Sequence, residues 1–217
     1  RSFFETKSVW ESFSDQLATR KNIEQRSFAL KINIDKKDDP LFTRKGYLLS
    51  GLFKSAGYVL GGNRDYFKVD LAIQSYTPIG KKSVFATRIK IGRLWGWDSN
   101  FNDYSYEKFY LGGSTSMRGW EVLRFEELKG EPVGEIIRFM TNVEYRFPFY
   151  KSFGFTIFAD GGLLAEHTNN ISSDLLKWDL GVGVTILTPL GPARLDYAIQ
   201  VNDPGKRKIQ LGVQNLF

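Results

Sequence analysis

The residues able to do chemistry are few in kind. Cysteine is absent and His167 is the single histidine among 217 residues. Thiolate chemistry, disulfides and zinc sites built on histidine pairs are therefore excluded. One histidine in a polar stretch, with no orienting partner in sight, supplies no base for an activated nucleophile. No catalytic residue, metal or cofactor is expected. What remains is ion pairing. Arg88, Lys90, Arg138, Glu144, Arg146, Asp160, Asp179, Arg194 and Asp196 recur at alternate positions between apolar residues. Arg118 instead lies in a glycine-rich segment, Phe109-Tyr110-Leu111-Gly112-Gly113-Ser114-Thr115-Ser116-Met117-Arg118-Gly119-Trp120. So many ions on one face would be ruinous in a dry sandwich core. They face water in a wide interior, or they belong to a one-sided sheet exposed at a surface. For the glycine-rich segment the plain reading is a loop whose glycines supply positive φ and whose arginine is solvated.

The elements that position these residues are strands. Alternation with period two runs through the chain. The clearest example sets Ile137, Phe139, Val143, Tyr145 and Phe147 against Arg138, Asn142, Glu144 and Arg146. About eleven alternating residues exceed the usual soluble strand of about five or six and match a tilted strand crossing a bilayer. The same pattern predicts strands near residues 26–35, 46–54, 66–76, 84–95, 135–147, 153–162, 177–187, 192–200 and 207–217, with a weaker one over Phe3–Trp10. Tight turns are expected at Thr77–Gly80, Pro148–Ser152 and Thr188–Pro192, where proline and glycine end strands. Longer loops are expected at 55–65, 98–133 and 164–175. Short turns at one rim and long loops at the other are how outer-membrane barrels are built. The expected fold class is all-β: an antiparallel transmembrane β-barrel occupying residues 1–217 as one domain.

Composition agrees with that reading. A mean hydropathy of -0.29 and 25% charged residues suggest an ordinary soluble domain, but alternating lipid-facing and lumen-facing residues cancel in such a mean. Aromatics reach 15%, with 18 Phe, 10 Tyr and 5 Trp, as an interfacial girdle requires. No run approaches the roughly 18 apolar residues of a spanning helix. Residues 1–20 hold no apolar stretch of a secretory signal, so the chain is expected to be soluble, a mature product or a fragment. The formal charge of +6 is scattered rather than gathered in a stripe, so nucleic acid is not an expected partner.

The Gly112-Gly113 pair followed by Arg118-Gly119-Trp120 resembles the loop motif of the BamA/TamA-type outer-membrane barrel superfamily, whose members fold, insert or secrete outer-membrane proteins. Asp39–Gly46 and Leu190–Asp196 match further motifs, and the likeness covers about Ser27 to Phe217. In that family the loop folds back into the lumen, and its arginine is held by acids on the next two strands. The matching positions here are Glu144 and Asp160, both of which strand parity already points inward. Such a pairing holds a loop in one geometry through charge-assisted hydrogen bonds. Five strands follow the loop, as the resemblance requires. Gln210, Gly212 and Phe217 lie where the family carries its C-terminal signal and seam strand, although Asn215 stands where an aromatic is usual.

The resemblance implies the C-terminal strands of a barrel of about sixteen, with the preceding strands, periplasmic domains and accessory lipoproteins outside this chain; a smaller closed barrel of about ten strands is the alternative. It implies a bacterial outer-membrane location and a role in inserting unfolded outer-membrane proteins into the bilayer. A translocation paralogue, a two-partner secretion pore and a passive porin are the alternatives. The implied mechanism is strand templating at a weakly paired seam, with no chemical catalysis.

Overall fold

The computed structural model describes residues 24–40, 42–62, 64–96, 106–150, 152–188 and 191–213. Its strands are β1 (Ser27–Asp35), β2 (Gly46–Ala56), β3 (Tyr66–Ile79), β4 (Ser83–Gly96), β5 (Glu127–Leu128), β6 (Glu131–Pro132), β7 (Ile137–Tyr150), β8 (Phe153–Ala165), β9 (Lys177–Thr188), β10 (Gly191–Gln200) and β11 (Arg207–Val213). Helical structure among the described residues is confined to 3-10 turns at Tyr58–Leu60, Thr168–Asn170 and Ser173–Leu175.

Nine strands form one sheet in the order β1-β2-β3-β4-β7-β8-β9-β10-β11, and β5-β6 is a small hairpin inside the β4–β7 loop. Each neighbouring pair is antiparallel and, apart from β4 and β7, which the β5-β6 hairpin separates, consecutive in the chain. The antiparallel β-sheet expectation holds in this sense. Within the described residues β1 and β11 are the two edges, so the sheet's closure into a barrel and its total strand number lie beyond these nine strands. The strand expected over Phe3–Trp10 lies outside the described residues, as does Phe217.

Alternation fixes the two faces. Outward, Leu30, Ile32, Leu71, Ile73, Ile89, Ile91, Ile157, Leu180, Val182 and Leu195 are exposed. A large, continuous apolar surface of this kind marks contact with lipid or with another apolar partner. Inward, Arg88, Asn142, Glu144, Asp160, Asp179, Arg194 and Asp196 are buried. This corrects the expectation that the inward ions line open water. The long loop lies over them and brings its own apolar side chains. Phe109, Leu111, Met117, Trp120 and Phe125 pack with Tyr66, Leu94, Met140 and Leu164 of the wall and with Ile136 just before β7. Each such large side chain, fully buried, stabilises the arrangement by about 1.5–3 kcal/mol.

Two turn expectations are also corrected. Pro78 is not in a turn but in β3, opposite Val84, and the reversal falls at residues 80–82. Likewise β7 runs through Pro148, paired with Gly154, to Tyr150, with a register shift between Pro148 and Tyr150. Both prolines sit close to a rim, where a strand tolerates the loss of one ladder donor. Residues 36–40 and 42–45 belong to a longer connection at the otherwise tight rim. There the Asp38 carboxylate accepts hydrogen bonds from the backbone of Arg44 and Lys45, and Arg44 donates to the carbonyl of Lys81 in the next turn. At the other end β7 begins at Ile137, because Glu135 exchanges backbone bonds with Phe109 of the loop rather than with a neighbouring strand.

Candidate functional site: an arginine-anchored loop

The chain enters the site through two glycines that no other residue replaces without strain. Gly112 and Gly113 have φ of 114° and 94°, a region costly for any residue with a Cβ. Their turn is closed by backbone bonds from Gly113 to the carbonyls of Met117 and Trp120, and by the Gly112 N–H donating to Ser116 Oγ at 2.7 Å. That compact turn presents Arg118 to the wall.

Arg118 is fully buried. Its Nε and Nη2 donate to the two oxygens of Asp160 at 2.8 and 2.7 Å, and its Nη1 donates to Glu144 Oε1 at 2.6 Å. The backbone N–H of Arg118 adds a bond to Asp160 at 3.2 Å. Asp196 lies 3.5 Å from Nη1, and the guanidinium carbon is 3.3 Å from the centre of the Phe158 ring. Bidentate pairing and stacking both depend on the planar fork of arginine, which lysine lacks. Burial by itself favours loss of the arginine's proton. Asp160 and Glu144 outweigh it and hold the guanidinium more firmly charged than in water.

The site is wider than one arginine and two acids. On β9, Asp179 accepts from the Gly119 N–H at 2.9 Å; on β10, Gln200 donates to the Gly119 carbonyl at 2.8 Å. Gly119 must lack a side chain here, since a Cβ would stand 2.7 Å from that of Asp179. On β11, Gln210 donates to the carbonyls of Arg118 and Trp120 at 3.4 and 2.9 Å. Asn142 on β7 donates to the Ser116 carbonyl and to Asp160, while accepting twice from Arg88 on β4. Arg88 and Arg194 also reach the carbonyls of Thr115 and Ser114. Trp120 is buried against Phe125, with ring centres 4.9 Å apart.

Glu144 and Asp160, the acids that the resemblance supplied, thus meet Arg118. Gly112, Gly113, Gly119 and Trp120 form the turn that carries it. Gln210 lies on the last described strand and holds the loop from there. Gly212 stands opposite Arg194 in the ladder. Asp179, Asp196, Asn142, Arg88, Arg194, Gln200 and Gln210 had no loop partner assigned from sequence, although parity placed most of them inward. Except at Asp196, which faces the Arg118 guanidinium, the missing signal was the reach of the turn's backbone N–H and C=O groups, which carry no side-chain signature. His167 is exposed beside Glu166 and takes no part.

What this geometry can do is mechanical. Six strands, β4 and β7 to β11, hold one turn by side chains, so the turn cannot shift without breaking several buried bonds together. A buried ion network is weak evidence of net stability, yet removing one partner leaves uncompensated charge and is strongly destabilising. Such a network fixes one arrangement.

The Omp85 superfamily domain matches residues 3–215. The chain belongs to that superfamily. Among curated relatives, the mouse sorting and assembly machinery component 50 homolog is 25% identical over 201 residues, covering 83% of this chain and 42% of that protein. The outer membrane protein assembly factor BamA of Nitratidesulfovibrio vulgaris is 24% identical over 176 residues, covering 78% of this chain and 22% of its own length. This chain therefore spans less than half of either relative. Among solved structures, BamA from Haemophilus ducreyi lacking POTRA domains 1-3 superposes with a TM-score of 0.69 at 16% identity, over 85% of this chain and 40% of that one. At that identity the likeness is one of fold. The nine-stranded sheet resembles part of that barrel in fold.

Proposed function

We propose that this chain is the C-terminal wall of a bacterial outer-membrane barrel of about sixteen strands that folds and inserts other outer-membrane proteins. The observation that carries the reading is the turn at Gly112–Trp120 buried against the inner face, with Arg118 locked between Asp160 and Glu144. Membership of the Omp85 superfamily and the printed roles of the BamA and component 50 relatives support it. Unfolded barrel proteins are the proposed clients. Periplasmic domains and accessory lipoproteins are the proposed partners, carried outside these residues.

The proposed mechanism moves no covalent bond and needs no cofactor. An edge strand with unpaired N–H and C=O groups templates a client strand. β11, whose one hydrogen-bonded neighbour among the described residues is β10, supplies that edge. The anchored loop keeps the wall behind the edge rigid while pairing is exchanged. Its test uses the full-length protein carrying Arg118→Ala, scored for insertion of a client barrel into liposomes and for ion conductance. Loss of most insertion at an unchanged level of folded barrel supports the proposal. Full insertion with only altered conductance returns the chain to the passive-pore reading. Intact insertion with β11 covalently locked to its seam partner rules out templating.

A further inference from the structure

The Arg118 latch explains how the apex of the loop is held against β7 to β11, but the loop is also pinned at its first described limb, by different chemistry. On β2 and β3, Lys54 and Lys68 stand directly opposite one another in the ladder, both pointing inward. Two like charges so placed repel and destabilise the pair. Glu107, almost wholly buried, comes from the loop to lie between them. Its carboxylate accepts hydrogen bonds from Lys54, from the Tyr66 hydroxyl at 2.7 Å and from Lys68 at 3.2 Å. Lys68 also donates to the Glu107 carbonyl at 2.6 Å. Gln25 donates to the Tyr66 hydroxyl at 2.7 Å and accepts from the hydroxyl of Tyr106, so the residue next to Glu107 is tied to the segment before β1.

Two residues further on, the Phe109 ring continues the same contact. Lys68 Nζ and the Arg138 guanidinium carbon lie 4.8 and 4.7 Å from its centre. The ring lies over Gly92 of β4, where an added Cβ would meet ring carbons at 2.5 and 2.6 Å. Arg138 is itself paired with Asp70. This part of the wall is thus a cationic slot that accepts a loop anion and an aromatic face.

We propose that Glu107 is a second positioning residue of the loop, an anchor of opposite polarity to Arg118 that neutralises the Lys54–Lys68 pair and ties β2 and β3 to the loop. A loop cation meets wall anions at one end, and a loop anion meets wall cations at the other. Displacement of the loop breaks both sets of pairs, so the two anchors together set its placement across the sheet. The loop becomes a strap in contact with each strand of the main sheet from β2 to β11. This inference concerns where the loop sits, and it stands apart from whether the barrel inserts clients.

The test is amide hydrogen exchange on the full-length protein in a lipid bilayer. Glu107→Gln is expected to raise exchange across residues 106–111 at least tenfold while residues 114–120 keep their protection. Glu107→Lys is expected to be worse, and combining it with Lys54→Glu and Lys68→Glu restores protection to within a few-fold of the parent. If Glu107→Lys fails to fold, recovery of the folded barrel in the triple variant gives the same answer. Unchanged exchange in Glu107→Gln overturns the proposal. So does a triple variant no better than Glu107→Lys alone.

Discussion

Strands β1 and β8 follow the same rule of sequence and end in opposite environments. Both alternate apolar and polar residues, and both turn the polar set to the inner face. In β8 that set includes Thr156 and Asp160, and both are buried. In β1 it includes Lys31, Asn33 and Asp35, and each residue of the strand from Ser27 to Asp35 is exposed. The difference is the loop, which covers β8 with Arg118 and Met117 and leaves the inner face of β1 open. A polar face is therefore not wet or dry by composition. It becomes a packed interior where a complementary segment lies on it. The chemistry differs accordingly: an inward aspartate under the loop is a structural anchor, while an inward lysine on β1 is a solvated charge.

Arg118→Ala is expected to widen this contrast most, because it leaves the buried Asp160 carboxylate with the Asn142 amide but no guanidinium, while Glu144 keeps Arg146. A loss of about 3–5 kcal/mol is expected, read as a fall in the urea midpoint of the full-length barrel. Arg118→Lys recovers only part of it, since lysine cannot make the bidentate contact. On the outward side, Ile157 lies near the middle of β8 and is about half exposed. Ile157→Arg is expected to cost about 2–4 kcal/mol in a bilayer and far less in a detergent that solvates the charge, a difference measured by unfolding in both. Gly119→Ala forces a Cβ against Asp179 and is expected to cost about 1–3 kcal/mol, visible in the same urea titration. By contrast, Lys31→Gln on the open face of β1 is expected to shift stability by less than about 0.5 kcal/mol.

The Glu107 anchor is sensitive to acid. Burial opposes ionisation of Glu107, but Lys54, Tyr66 and Lys68 overcome it and hold its carboxyl below the ordinary value of 4.5. A carboxyl depressed on folding contributes its full stability above that ordinary value and loses it as pH falls through the folded value. Protection of residues 106–111 against hydrogen exchange is therefore expected to be constant from neutral pH to about 5 and to fall below about 4, after correction for the intrinsic exchange rate. In Glu107→Gln that fall is expected to vanish.

Much of the fold was legible because a strand with one lipid-facing side must alternate. The register places Leu71, Ile89, Ile157 and Leu195 outward and Arg88, Glu144, Asp160 and Asp196 inward, as alternation demands. Pro78 and Pro148 misled because proline reads locally as a turn, whereas its cost in a ladder vanishes near a rim. The depth of the loop was legible in part. Arg118, Glu144 and Asp160 carried it through a motif, while Asp179, Gln200 and Gln210 bind backbone groups of the turn that leave no trace in residue type. Glu107 was invisible for a related reason. Its partners Lys54 and Lys68 become a pair only once β2 and β3 are in register.

The most direct measurement is a double-mutant cycle between Arg118→Ala and Asp160→Asn, read by urea unfolding of the full-length barrel. Contact between the two side chains predicts a coupling of about 2–3 kcal/mol, with the double variant little worse than Arg118→Ala alone. Additive losses would mean that Arg118 does not reside against Asp160, and that the loop is not held in the interior by this pair.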